Sequence, residues 1–519
     1  MKIIIPMSGT GSRFIKAGFT THKSLLYVLD LPIIKHVIDL FDDSFEFIFI
    51  CSKDLVENSN VVNILKKFCK NCEIVIIDPH KFGPVFAVTK AFSFISDDEQ
   101  VIVNYCDFNC LFDIREFLYF VKRNQLDGCI PAYKGFHPHC LGSTNYAYLK
   151  EIQGEVVEVK EKEPFTDNRM DEYASTGTYY FSRGEYIKKY FRKLIHENIN
   201  INGEFYCSLV YNLMIKDGLK VKSFNIEKFM QWGTPQDFNE FKIWCNYFSE
   251  SKLQNTNSKI NCVNLLPMAG FGKRFANTGF NTPKPFLKVR NSPLFINAMN
   301  CLPKAKQDYI STRKVLIPEL ENYIKYNSIS ANLIDIGGPT DGQAITVLNS
   351  LSELPDLPIN ITACDHFLKY KIEEYEKLMS NNQIDIVVWG FNNHQPAIRN
   401  PNMYGWIESD NQNNIKSISV KKPISEDLKE NIVTGTFTFK SKEILQKAIN
   451  LQLQSRDIIN NEYYLDSTIN SAIKLGYKVK LFQVDYFICL GTPEEYNTFL
   501  YWEDTFDKWE KHPFSKHIY

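Results

Sequence analysis

Two glycine-rich stretches carry the residues best suited to chemistry. The first reads Pro6-Met7-Ser8-Gly9-Thr10-Gly11-Ser12-Arg13, with Lys23 ten residues beyond the arginine. The second reads Pro267-Met268-Ala269-Gly270-Phe271-Gly272-Lys273-Arg274, with Lys284 at the same spacing. Glycine lets main-chain N–H groups approach phosphate oxygens with no side chain between them. Ser8, Gly9 and Gly11, and in the second copy Ala269, Gly270 and Gly272, are therefore candidates to cradle a polyphosphate. Arg13 and Lys23, like Arg274 and Lys284, add fixed positive charge at the same mouth, and a guanidinium matches phosphate oxygens with a planar fork. That combination suits a triphosphate.

Such loops need a strand to launch them. Apolar runs from Ile3 to Ile5 and from Val263 to Leu266 feed the two copies, so each loop is expected at the end of a buried strand. Further along, Phe45–Cys51, Glu73–Ile77 and Val101–Asn104 read as strands. Leu55–Cys69, Pro84–Ile95 and Ile114–Val121 have helical spacing. This alternation predicts a mainly parallel sheet covered on both faces, with ligands at the carboxyl ends of its strands. Beyond Ala132 the texture changes. Val156–Lys162 alternates apolar and charged residues, and Ser175–Phe181 is an aromatic-rich strand; this half is expected to lie beside the nucleotide half and to take an acceptor.

The plan then repeats. Arg13 corresponds to Arg274, Asp107 to Asp365, and Thr176-Gly177-Thr178 to Thr434-Gly435-Thr436. Gly203-Glu204-Phe205-Tyr206 matches Asn461-Glu462-Tyr463-Tyr464, and Trp232-Gly233-Thr234-Pro235 matches Leu490-Gly491-Thr492-Pro493. A register that holds over such a length marks a duplicated domain rather than a solenoid. The expected organisation is a first domain at residues 1–250, a polar linker at 251–261, and a second domain at 262–519.

The paired loops, with their Gly-x-Gly-x-Arg pattern and following lysine, resemble the sugar-phosphate nucleotidylyltransferases, or nucleotide-sugar pyrophosphorylases. The Pro-Met-Ala-Gly-x-Gly form is similar to branches that use UTP or CTP. The resemblance implies an α/β fold of two tandem Rossmann-like nucleotidyltransferase domains, each a mainly parallel mixed sheet flanked by helices. It also implies a reaction in which an acceptor phosphate, on a sugar 1-phosphate or similar metabolite, attacks the α-phosphorus of an NTP and releases pyrophosphate. Arg13 and Arg274 would grip the leaving pyrophosphate, and Lys23 and Lys284 would sit on the α-phosphate. Asp107 and Asp365, each just past a buried strand, would hold Mg²⁺. The family's second aspartate position is occupied by Gln231 and Cys489, with Glu227 and Asp485 as nearby acids.

The family's Glu-Lys-Pro pattern assigns Glu161 and Lys162 to the acceptor in the first copy. Val420-Lys421-Lys422-Pro423 in the second lacks the acid, and there Lys422 takes the lysine role. Gly83 and Gly342 match a glycine beside the base, while Gly177, Glu204, Gly435 and Glu462 match acceptor contacts. The product would serve surface polysaccharide synthesis. Against this stand two other readings. In one, either or both domains are non-catalytic nucleotide or nucleotide-sugar binding modules that regulate a partner. The other is a related glycosyltransferase, disfavoured because Asp107-Phe108-Asn109 and Asp365-His366-Phe367 lack an Asp-x-Asp metal motif.

Composition bounds the rest. With 519 residues the chain exceeds one ordinary core. A net charge of −1 gives no polyanion-binding surface, so neither nucleic acid nor an anionic membrane is an expected partner. No apolar run reaches membrane-spanning length. The sequence enters its first strand without a signal-peptide pattern, and its thirteen cysteines read as reduced structural thiols. A cytoplasmic location is expected. The single Cys69-x-x-Cys72 pair has no second pair beside it, His137 and His139 read as loop residues, and a homo-oligomer is left open.

Overall fold

Branched apolar residues build the centre of each half. Ile3, Ile4 and Ile5 are fully buried in the strand Lys2–Met7, which pairs in parallel with Glu46–Ser52 on one side and Val101–Asn104 on the other. Cys72–Ile77 extends the parallel part. Beyond Val101–Asn104 the sheet turns antiparallel: Thr178–Phe181 pairs with that strand and with Gly128–Tyr133, and the Ala147–Ile152/Glu155–Glu161 hairpin closes the far edge. The sheet is therefore parallel where the glycine loop leaves it and mixed on the far side, where Val221–Asn225 pairs in parallel with Gly128–Tyr133. Each such Ile, Val or Phe, wholly removed from water, stabilises the fold by roughly 1.5–3 kcal/mol.

This is a computed structural model, and it describes residues 1–249 and 259–516. The chain divides into two compact units. One comprises Met1–Ser249 together with the chain from Tyr501 onward; the other ends at Leu500. Residues 250–258 lie outside the described residues, and with them most of the linker expected at 251–261.

The second unit repeats the plan. Val263–Met268 pairs in parallel with Gln307–Thr312 and Ile359–Thr362. Asn431–Phe439 then runs antiparallel to Ile359–Thr362 and Ile386–Phe391. Both units are mixed α/β sheets flanked by helices, as the duplicated sequence predicts. Some elements are shorter than their periodicity suggests. The expected helix over Leu55–Cys69 is two, Lys53–Glu57 and Val61–Phe68, parted at Asn58-Ser59-Asn60, where the Asn58 and Ser59 side chains donate to the carbonyls of Asp54 and Leu55. The expected strand over Ser175–Phe181 is broken at Thr176-Gly177.

A small ribbon matters more to the site than its size suggests. Phe108–Cys110 pairs antiparallel with Phe229–Gln231, and His366–Lys369 with Tyr486–Cys489. In the first unit the ribbon is braced by residues from the end of the chain. The Tyr501 hydroxyl accepts from Phe229 N–H at 2.9 Å and donates to Phe229 C=O at 2.8 Å. Trp502 and Phe506 pack on Phe241, and Lys228 pairs with Asp504 at 2.7 Å. No helix among the described residues is long and apolar enough to cross a membrane.

Candidate functional site

Each glycine loop ends in a residue that only glycine fills easily. Gly11 and Gly272 sit at φ 61° and 63°, in the left-handed region, and each starts a short helix, Ser12–Lys16 or Lys273–Ala276. The turn sends Arg13 and Arg274 outward at the mouth, where both are exposed. In the first unit the loop lines a cleft of about 340 Å³. Its walls also carry Lys23, Gly83, Asp107, Glu161, Lys162, Gly177 and Glu204. All the candidates named for the first copy thus face one cavity.

Lys23 Nζ lies 2.5 Å from Asp107 Oδ2, and Lys284 forms the same pair with Asp365. Burial pulls both ammonium groups down, but the facing carboxylates outweigh it and raise them above the ordinary lysine range. Both lysines are therefore charged at neutral pH. The second copy sets its lysine with Pro283, whose φ and ψ are −56° and 138°. His22 stands there in the first copy at −58° and 140°, the same backbone without the ring. The imidazole substitutes for the ring's rigidity: Gly9 C=O accepts from Nε2 at 3.2 Å, which leaves Nδ1 to accept from Ser24 Oγ at 2.8 Å. Burial, then Lys23, lowers its pKa to about 4, so the ring is neutral.

Asp107 is positioned by the ribbon, since Trp232 N–H donates to its carbonyl at 3.0 Å; Leu490 does the same for Asp365 at 2.7 Å. A Cβ on Gly233 would lie 2.8 Å from Asp107 Oδ2 and 3.3 Å from Gln231 Nε2, so this glycine leaves room beside both groups. At Gly491 the same space is bounded by Cys489 Sγ, Asp365 and Glu495. Glu495 is already engaged, accepting from Thr492 N–H at 2.9 Å and from the Tyr404 hydroxyl. Glu227 pairs with Lys508. No cluster of three or more His, Cys, Asp or Glu residues suited to a metal occurs among the described residues. One carboxylate per unit fits a hard cation held mainly by phosphate oxygens and water.

Another wall of the cleft holds a buried acid. Glu161 is 9% exposed and accepts from Ser208 Oγ at 2.6 Å. Burial raises its carboxyl to about 7, against the lowering effect of Ser208 and Lys162. A carboxyl raised from 4.5 favours the folded state at low pH and loses that advantage as pH rises through 7. Glu161→Gln is therefore expected to raise stability at pH 8 by up to about 3 kcal/mol. The gain should shrink as pH falls from 7 to 4.5, which paired urea melts at pH 8 and pH 5 would show.

Lys162 follows with φ 61° and donates its N–H to Tyr146 C=O at 2.9 Å, while its ammonium meets the Tyr206 hydroxyl. In the second unit the residue with this conformation is Lys421, not Lys422. It has φ 57°, donates to Tyr404 C=O at 3.0 Å, and lies over the Tyr464 ring, whereas Lys422 is exposed. Burial and then Arg274 lower the Lys421 pKa, with Asp466 and Glu462 opposing, so these groups converge on one place.

Gly83 and Gly342 are explained by a close approach. Their φ values are 82° and 111°, and a Cβ would meet the main chain of Phe205 at 2.8 Å or of Tyr463 at 2.5 Å. They clamp the glycine-loop side to the segment bearing Glu204 or Glu462. His137 and His139 are buried among Tyr133, Tyr146, Phe229 and Tyr501, and do not line the cleft. Sequence spacing does not reveal His80, whose Nε2 lies 3.1 Å from Ser8 Oγ, nor Tyr206 beside Lys162. Cys69 is buried, its thiol pushed up to about 12 by that burial.

Residues 264–507 match the family model described as Nucleotidyl transferase. No curated protein matches the sequence. Among solved structures, the nucleoside-diphosphate-sugar pyrophosphorylase from Vibrio cholerae RC9 is 24% identical and aligns over 46% of this chain and 99% of its own, with a TM-score of 0.39. The inositol-1-phosphate CTP transferase from T. maritima is 14% identical over 46% of this chain and 93% of its own, with a TM-score of 0.38. A UDP-glucose pyrophosphorylase complexed with UDP-glucose is 15% identical over 48% and 99%, also at 0.38.

Proposed function

We propose, from the match of residues 264–507 to the Nucleotidyl transferase model and the geometry of the two sites, that this chain couples an NTP to a sugar 1-phosphate or similar phosphorylated metabolite and releases pyrophosphate. One observation carries the reading: in both units a charged lysine, paired to an aspartate at a strand end, belongs to the same site as a glycine loop and a second lysine. UTP and CTP are the favoured donors, and the activated product would feed surface polysaccharide assembly in the cytoplasm.

Nucleotidyl transfer asks mainly for positioning and charge neutralisation. In this reading the loop main chain from Ser8 to Gly11 binds the polyphosphate, Arg13 holds the departing pyrophosphate, and Lys23 stabilises charge on the α-phosphate. Lys162 aligns the attacking phosphate, and Glu161 accepts from acceptor hydroxyls with Gly177 and Glu204 alongside. Arg274, Lys284, Lys421, Gly435 and Glu462 take these parts in the second unit. Mg²⁺ would be held by Asp107 or Asp365 with substrate phosphates, and would neutralise charge on them.

The test is pyrophosphate release by the full chain with each of the four NTPs against a panel of sugar 1-phosphates and alditol phosphates. UTP or CTP with at least one acceptor should give turnover that EDTA abolishes. NTP binding without release on any acceptor would instead favour a non-catalytic, regulatory module, a reading that Gln231 and Cys489 at the second metal position support.

A further inference from the structure

The second unit has not lost its acceptor-side acid; the acid has changed elements. In the first unit Val159 N–H and C=O bond the Asn212 side chain, each at 2.8 Å, and Ile418 bonds Asn470 in the same two ways at 2.8 Å. Counting from these anchors, Val420 takes the strand position of Glu161, and Asp466 takes the helix position of Ser208. Glu161 and Ser208 touch, so the two positions share one spot in the fold. The carboxylate comes from the strand in one unit and from the facing helix in the other.

A third position changes with them. Glu161 pairs in register with Ala147, and Val420 with Gly405. A Cβ at Gly405 would lie 2.3 Å from Asp466 Oδ2, so the alanine of the first unit could not accompany this aspartate. The Asp466 side chain is half-buried and accepts no hydrogen bond from any described residue; Lys421 is the charge that offsets its burial. Burial lifts the carboxyl to about 6, still below neutral pH. An ionised, half-buried carboxylate without donors is costly unless something supplies them.

We propose that Asp466 is the acceptor-binding acid of the second unit, accepting from the hydroxyls of a phosphorylated sugar or polyol whose phosphate is held by Lys421. Resting on the reading given under Proposed function, this predicts that the two units present their acid to an acceptor from different sides and so prefer different hydroxyl arrangements.

The test uses the full chain carrying Lys23→Ala, so that turnover reports the second unit. Probes are glucose 1-phosphate, galactose 1-phosphate, ribitol 5-phosphate and, as a hydroxyl-free control, ethyl phosphate. Adding Asp466→Asn should raise the acceptor KM about 10- to 100-fold while the NTP KM stays within about twofold. Asp466→Ser with Val420→Glu and Gly405→Ala, which returns the acid to the strand, should recover acceptor affinity. An unchanged acceptor KM in Asp466→Asn, or an NTP KM that rises in parallel, overturns the proposal. So does a Lys23→Ala chain that binds NTP but responds only to ethyl phosphate or to no acceptor. A Lys23→Ala chain that neither binds NTP nor releases pyrophosphate removes the parent reading for this unit, and the proposal with it.

Discussion

Replacing Lys23 with alanine is expected to cut the pyrophosphate release of the first unit by roughly 10²- to 10³-fold, and Lys284→Ala should do the same for the second. The size follows from where the ammonium sits. It is charged, largely enclosed, and aimed into the site by Asp107 or Asp365 rather than free in water. Each single variant should therefore remove one part of the acceptor profile and leave the other, and the double variant should be inactive. Removing the lysine also strands an aspartate that is 17% or 18% exposed, so stability must be separated from chemistry. Lys23→Ala/Asp107→Asn serves as that control: it should melt like the parent chain and remain inactive in the first unit. If both lysine variants release pyrophosphate like the parent on every acceptor, the sites do not work as described.

The second large effect concerns the two glycines pressed against a neighbouring main chain. Gly83→Ala and Gly342→Ala each force a side chain into the left-handed region, at about 1–2 kcal/mol. They also press a Cβ against main-chain atoms of Phe205 or Tyr463, which no rotamer can relieve. The bonds that fasten the segment, Val85 N–H to Phe205 C=O at 3.1 Å and Phe205 N–H to Phe82 C=O at 2.9 Å, would lengthen or break. The expected loss is about 3–5 kcal/mol per unit, visible in thermal melts, with acceptor KM rising because the same segment carries Glu204 and Tyr206. Gly9→Ala and Gly270→Ala are the contrast. Nothing lies within 4 Å of a Cβ at either, so melting should not move. Equal destabilisation by all four substitutions would mean that the close approach is not what these positions require.

Much of this architecture is legible in sequence because it depends on local signals: apolar runs, loop glycines and a repeat register that barely drifts. Motif spacing puts Lys23 and Asp107, and Lys284 and Asp365, among the candidates of one site each, but not the ion pair that joins each lysine to its aspartate. What escapes is spatial. The lysine doublet Lys421-Lys422 looks interchangeable until one residue takes a left-handed φ, a conformation lysine does not advertise. The acid in the second unit looks missing because its replacement lies on a helix over forty residues later. His22 looks like the loss of a proline, yet its two hydrogen bonds hold the same backbone.

The bracing of Phe229–Gln231 by Tyr501 has a consequence for the order in which the protein is made. Residues 1–249 leave the ribosome long before Tyr501 exists, at about 5–20 residues per second and so by some tens of seconds. Until then Phe241, buried in the finished fold, lacks the aromatic cover of Trp502, Phe506 and Trp509. The nascent first unit would wait with a sticky flank and an unanchored ribbon beneath Asp107. Its cleft would reach working order only when synthesis of the second unit is complete, so a premature stop codon anywhere in the latter half would unsettle the first site as well as truncate the second unit.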